Sequence, residues 1–269
     1  MKNLSLKLIC LYLIVISCQK SSPDVNPTNA KCLINKLTLT TKTTVPVQST
    51  LTAYNIEYDA SQRISKVSNT YSVINYTYEI NKVVIKYNDI VSGKNVLKST
   101  NTLILNSKNQ ITQSIEDNEG EKKSPNYVPS TTNYEYNDKG FISKIGPYSV
   151  SYEYNTSGLP LKISNPILST TRYDYEYYDE YKPEDFPNLE TLYDYKSIGS
   201  FNMKPYTKLV KSIKYYNQNI LRTESAFTYT TFTDKKIKNI TKIDYNYTDK
   251  GVKINTPITD IKEFEYQCK

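Results

Sequence analysis

The chain has 269 residues, with 34 Lys and Arg against 27 Asp and Glu, and no histidine. The missing imidazole excludes Ser-His-Asp and Cys-His nucleophile systems and His-based metal centres; only seven glycines occur, too few for wide glycine-rich phosphate loops. Tyrosine (27 copies), threonine, isoleucine and asparagine dominate, which favours strands over helices.

Met1 to Ser17 reads as a signal peptide, with Lys2 and Lys7 as its positive start and Leu8 to Ile16 as its apolar stretch. That stretch is too short to cross a hydrocarbon core about 30 Å thick. It ends in Val15-Ile16-Ser17-Cys18, which resembles the lipobox of bacterial lipoproteins. The resemblance implies diacylglycerol on the Cys18 sulfur, cleavage before Cys18, and a membrane partner reached through lipid. Stable attachment takes more than one acyl chain. In that family an Asp after the cysteine retains the protein at the inner membrane. Gln19 stands there instead, which places the expected anchor at the outer membrane of a bacterial cell envelope. Residues 18–30 follow as a lipidated tether, polar and proline-containing over Ser21 to Ala30.

The folded region is expected over 31–269 as a single domain. It retains two cysteines, Cys32 and Cys268, at its extreme ends. In an oxidising compartment such a pair most simply forms one disulfide, which would make the first and last strands neighbours. Two buried free thiols are the alternative.

A single pattern recurs within this region: apolar residues flanking a polar one, then Asn or Asp, a short turn, then alternating apolar residues. It runs from Ile56 to Val67, from Leu103 to Ile115, from Tyr134 to Ile145, from Tyr152 to Ile163 and from Tyr245 to Ile254. In the Tyr134 copy, alternation puts Tyr134, Tyr136, Ile142 or Phe141, and Ile145 onto sheet faces and leaves Glu135 and Lys144 among the solvated positions. Asn137-Asp138-Lys139-Gly140 supplies a turn whose glycine can take positive φ. Each unit is therefore expected to be a hairpin, and because lone hairpins are marginal in water they must line up side by side.

Tyr134-x-Tyr136-Asn137-x-x-Gly140-x-Ile142-x-Lys144-Ile145 resembles the tyrosine-aspartate repeats of the RHS family. The chain is also similar to bacterial lipoproteins with a porin-like fold, in which such hairpins follow a lipobox. The fold implied is all-β: an antiparallel meander of hairpins forming a strongly curved sheet or barrel. A membrane-spanning barrel fits poorly, because charges fall on both faces of several strands and the apolar positions are tyrosine-rich.

Residues 173–195 break the pattern, being acidic with interleaved tyrosines. Pro183 to Leu192 carries proline and acids at its start and Phe186, Leu189 and Leu192 on one face. A short helix is expected near 183–193. Asp174, Glu176, Asp179 and Glu180 could offer oxygens to Ca²⁺, but they lack the spacing of a calcium loop, and a solvated acidic strand is the simpler reading.

No acid is framed by a catalytic motif, so the chain is not read as an enzyme, and no cofactor, metal site or nucleic-acid partner is expected. The expected role is a non-catalytic envelope lipoprotein, a binding or scaffold module for glycan or an envelope protein. Tyrosine suits such surfaces through its flat apolar body and polar tip. A structural subunit of a surface assembly and, further off, a carboxylate-dependent glycan hydrolase are the alternatives. The sequence assigns no ligand-binding residue.

Overall fold

The structure is a computed structural model that describes residues 32–165, 171–181 and 207–268. The chain divides into two compact units, Ile34–Tyr266 and Met1–Leu33 with Gln267–Lys269. In the smaller unit Cys32 and Cys268, 236 residues apart, are joined by a disulfide.

The described chain is strand and turn. In order the strands are β1 (Cys32–Thr44), β2 (Val47–Tyr58), β3 (Ile64–Ser68), β4 (Ser72–Glu79), β5 (Lys82–Val91) and β6 (Lys94–Leu105). Then come β7 (Ile111–Asn118), β8 (Ser130–Tyr136), β9 (Ile142–Ile145), β10 (Tyr148–Ser149), β11 (Ser151–Tyr154) and β12 (Pro160–Asn165). The last are β13 (Thr171–Tyr181), β14 (Lys208–Asn217), β15 (Ile220–Thr231), β16 (Ile237–Asn246) and β17 (Ile258–Cys268). Each pairs antiparallel with its neighbour in sequence, and β17 pairs with β1. Only β10 and β11 are linked differently: they follow one another across Val150, the first pairing with β9 and the second with β12. The 17 strands thus make a nearly closed barrel.

The expected fold class needs a correction. It allowed an open curved sheet and included a short helix near 183–193. The β1–β17 pairing closes the sheet, and among the described residues there is no helix; residues 182–206 lie outside them.

Four of the five recurring stretches are hairpins: β2–β3, β6–β7, β8–β9 and β11–β12. Their turns share one backbone pattern. The residue at the turn's start donates its N–H to the carbonyl four residues on, and its own carbonyl accepts from the N–H three residues on: Asn137 with Phe141 and Gly140, Asn155 with Leu159 and Gly158, Asp59 with Arg63 and Gln62. The third residue on has positive φ, which Gly140 and Gly158 adopt freely and Gln62 and Asn109 adopt at some cost. Asn or Asp starts the turn because its side-chain oxygen accepts a further turn N–H: Asp59 Oδ1 takes Ser61 and Arg63 at 2.8 and 2.9 Å, and Asn106 Oδ1 takes Lys108 and Gln110 at 2.9 and 3.0 Å.

The fifth stretch departs from expectation. Thr248 to Val252 makes the same turn, but beyond it only the single bridge Tyr247–Lys253 forms, and β17 begins at Ile258. A hairpin with no Asn or Asp at its start takes its place: between β15 and β16 the turn begins at Phe232, with Lys235 at positive φ and Asp234 supplying the side-chain acceptor.

The turns that begin at Asp59, Asn106, Asn137, Asn155 and Phe232 lie at one end of the barrel, with Ile34 and Tyr266, and the apolar core fills that end, while the Thr248 turn lies at the other. Leu37, Ile56, Val67, Val83, Leu103 and Ile111 are among the core's buried members. A belt of tyrosines surrounds them. Near the end of one strand, each hydroxyl donates to the carbonyl near the start of the strand before it: Tyr58 to Ile34 at 2.7 Å, Tyr78 to Ile64 at 2.9 Å, Tyr136 to Ile111 at 2.9 Å. Tyr177 to Pro160, Tyr229 to Val210 and Tyr266 to Ile237 continue it at 2.7, 2.7 and 2.8 Å. A leucine of similar size would leave these carbonyls unpaired in apolar surroundings, at about 1–3 kcal/mol each.

The outer wall carries charge. Glu57–Lys66, Glu135–Lys144 and Glu153–Lys162 stand directly opposite one another on paired strands, with contacts of 2.7, 2.7 and 2.6 Å. Lys36 and Glu265 meet at 2.6 Å. Exposed pairs of this kind add little stability.

Candidate binding site inside the barrel

Register places the inward residues in layers. From the filled end toward the other, β15, β16 and β17 present Tyr229–Ile240–Lys262, then Phe227–Lys242–Asp260, then Ser225–Asp244–Ile258, then Thr223–Asn246. The inner wall therefore turns from apolar to polar along its height. Two layers hold the charged cluster. Asp244 accepts from the Ser225 hydroxyl at 2.5 Å and from Lys242 at 2.6 Å, and Asp260 accepts from Thr41 of β1 at 2.6 Å.

Lys262 sits at the lower edge of this cluster, 2 % exposed. Burial pushes its pKa down to about 7; the neighbouring Lys242 acts the same way and Asp260 opposes both. Nothing in the sequence marked it. The alternation Asp260-x-Lys262-x-Phe264 hints only that one face of β17 mixes charge with apolar residues.

Beside the charged wall stands an aromatic one. Tyr215 lies opposite Thr223 on one side and Tyr173 on the other, and the two tyrosine rings stack with centroids 5.0 Å apart. Tyr173 is 38 % exposed. On β10, Tyr148 lies opposite Ile145, which lies opposite buried Tyr134, so it too faces inward, and it is 43 % exposed. Solvent reaches the inner wall at this open end. Outward tyrosines differ: Tyr216 lies under the Arg172 guanidinium at 4.0 Å and Tyr245 under Lys253 at 3.6 Å.

A wall of hydroxyl, amide, carboxylate and ammonium groups adjoining half-exposed aromatic rings can hydrogen-bond a polyhydroxylated ligand and stack on its apolar ring face. Asp244 and Asp260 both accept from donors already in place.

Among its described residues the acidic stretch forms no comparable site. Asp174 is held by Arg172 at 2.8 Å, Asp179 by Lys208 at 3.4 Å, and Glu176 lies 3.9 Å from Lys214. Among the described residues no three acids or cysteines gather to hold a metal ion. The Glu180 side chain, residues 182–206, Cys18 and the tether lie outside the described residues.

No family model matches the chain, and no curated protein does either. Solved structures do resemble it. One, a porin-like protein from Bacteroides uniformis ATCC 8492, matches over 87% of this chain and 98% of its own, with TM-score 0.55 and 11% identity. The chain shares its fold. Another, a porin-like protein from Bacteroides vulgatus ATCC 8482, matches over 88% of this chain and 99% of its own, with TM-score 0.42 and 14% identity.

Proposed function

We propose that the protein is a non-catalytic cell-envelope binding module, lipid-anchored through Cys18, that takes a saccharide into the open end of its barrel. The observation that carries the reading is the meeting of two inner walls: stacked, half-exposed Tyr173 and Tyr215 beside Thr223, Asn246, Asp244 and Lys242. One wall offers ring faces and the other offers hydrogen-bonding groups of both kinds. The disulfide between Cys32 and Cys268 agrees with an exported, oxidising location. A peptide ligand is the weaker fit, because an edge strand for it to extend is scarce in a sheet closed by β1 and β17.

The test is calorimetric titration of the full chain with soluble fragments of its own cell-envelope glycans. Binding that is weakened about tenfold or more by Tyr173→Ala, and again by Asn246→Ala, supports the reading. Equal binding by these variants and the unsubstituted chain would place the ligand elsewhere. Release of reducing ends from the glycan would convert the reading to an enzyme. The anchor is tested separately by intact mass: an acylated N-terminus at Cys18, lost in Cys18→Ala.

A further inference from the structure

Exposed apolar side chains are distributed unevenly over the barrel. Six of the large ones stand at the tips of the open end: Val45 and Val47 at the β1–β2 tip, Tyr71 between β3 and β4, Val91 at the end of β5, Val128 between β7 and β8, and Val252 before β17. They are well exposed, Val47 at 86 % and Val128 at 77 %. The filled end presents Ile80, Leu161 and Phe232.

Exposed lysines are interleaved with these tips: Lys42, Lys94, Lys123 and Lys250. Among the described residues none of the four forms an ion pair. The acids of this rim are mostly occupied: Asp89 faces Lys98 at 3.4 Å, Asp117 and Glu119 hold Lys122 at 2.8 and 2.6 Å, and Asp249 is paired with Arg222. Glu121 accepts from the Asn118 amide. The rim thus offers uncommitted positive charge around its apolar points.

We propose that this rim docks on an anionic lipid surface, which goes beyond the saccharide reading and does not depend on it. The tips belong to five separate connections around a ring whose centre is the open interior, so they do not merge into one patch. A protein partner of fixed shape needs contiguous complementary area. A lipid surface accepts separated points: each valine or tyrosine sinks to the acyl boundary while the lysines beside it meet lipid phosphates. The filled end, where Ile34 and Tyr266 lie, would then point away from that surface.

The experiment uses the full chain with Cys10→Ser and Cys18→Ser, so that no lipid anchor forms and the disulfide is untouched. One further cysteine, Val128→Cys at the rim or Ile80→Cys at the other end, carries an environment-sensitive dye. Vesicles are phosphatidylcholine alone or phosphatidylcholine with phosphatidylglycerol. The expected result is a blue shift at position 128 on the anionic vesicles only, reversed by salt, with none at position 80. Lys42→Glu with Lys250→Glu should weaken vesicle binding about tenfold or more. No shift at 128, equal shifts at both positions, or a shift unaffected by the charge reversals would overturn the proposal. A shift that grows with protein concentration without vesicles would overturn it too, assigning the rim to a second copy of the chain. Saccharide binding is measured without vesicles, so either result can fail alone.

Discussion

Replacing Lys262 by methionine should stabilise the protein, and by an amount that depends on pH. The lysine is buried, and its pKa is pushed down from 10.5 to about 7. Between those values the folded chain leaves it neutral while the unfolded chain protonates it. The unfolded state therefore binds more protons, and stability rises with pH across that window. Folding an uncharged lysine from a protonated one costs about 1.4 kcal/mol for each pH unit below its ordinary value. At pH 7 that is on the order of 4 kcal/mol, and at pH 9 about 2. Methionine, similar in length, removes the term. Urea unfolding at pH 7, 8 and 9 should show the unsubstituted chain gaining stability with pH and Lys262→Met changing little. The chain contains no histidine to add its own titration at the lower edge of this window. A difference between the two proteins that stays constant from pH 7 to 9 would refute the reasoning.

At higher pH the trend should reverse. Burial pushes Tyr58, Tyr78 and Tyr136 up to about 12, so the stability they carry is intact below pH 10 and is lost as pH rises from 10 through 12. Tyrosinate absorbance should rise in two steps, accessible rings first and the belt only with unfolding followed by circular dichroism. Tyr136→Phe, which leaves the Ile111 carbonyl without its donor, should cost about 1–2 kcal/mol in urea unfolding. Asn155→Ala removes the acceptor of the Leu159 N–H at 2.9 Å and should cost about 1 kcal/mol, with no effect on the saccharide binding proposed at the opposite end. Reducing the Cys32–Cys268 bridge, or replacing both residues by serine, should lower stability by about 3–5 kcal/mol, read as a lower urea midpoint.

The all-β meander was legible because its signals are local. Asn137 to Gly140 fixes a turn through a side-chain acceptor and a positive φ, and the alternation of Tyr134, Glu135 and Tyr136 fixes which side faces in. The Phe232 turn was missed because its acceptor, Asp234, sits two places later than the pattern leads one to look. The Tyr245 stretch was over-read: Thr248 builds the turn, but the residues after it do not go on to a strand that pairs. Closure of the sheet is a long-range fact, set by β1 meeting β17, and no local pattern carries it. The inner wall was illegible for the same reason. Asp244 and Asp260 are 16 positions apart, and they share a wall only through the register of β16 on β17.

Tyrosine's abundance follows from the geometry of this barrel and not from one binding surface. At the filled end a strand's first carbonyls point across to the neighbouring strand, in surroundings too apolar to be hydrated. A side chain must there fill volume and also donate one hydrogen bond; phenylalanine does only the first and threonine only the second. The belt from Tyr58 to Tyr266 is that solution repeated along paired strands. Those rings are committed, and Tyr216 and Tyr245 on the outside are covered by cations. The inner wall also carries Tyr148, Tyr173 and Tyr215, and the rim carries Tyr71. The first three mark the wall where a ligand can stack, and the fourth belongs to the edge through which it would enter.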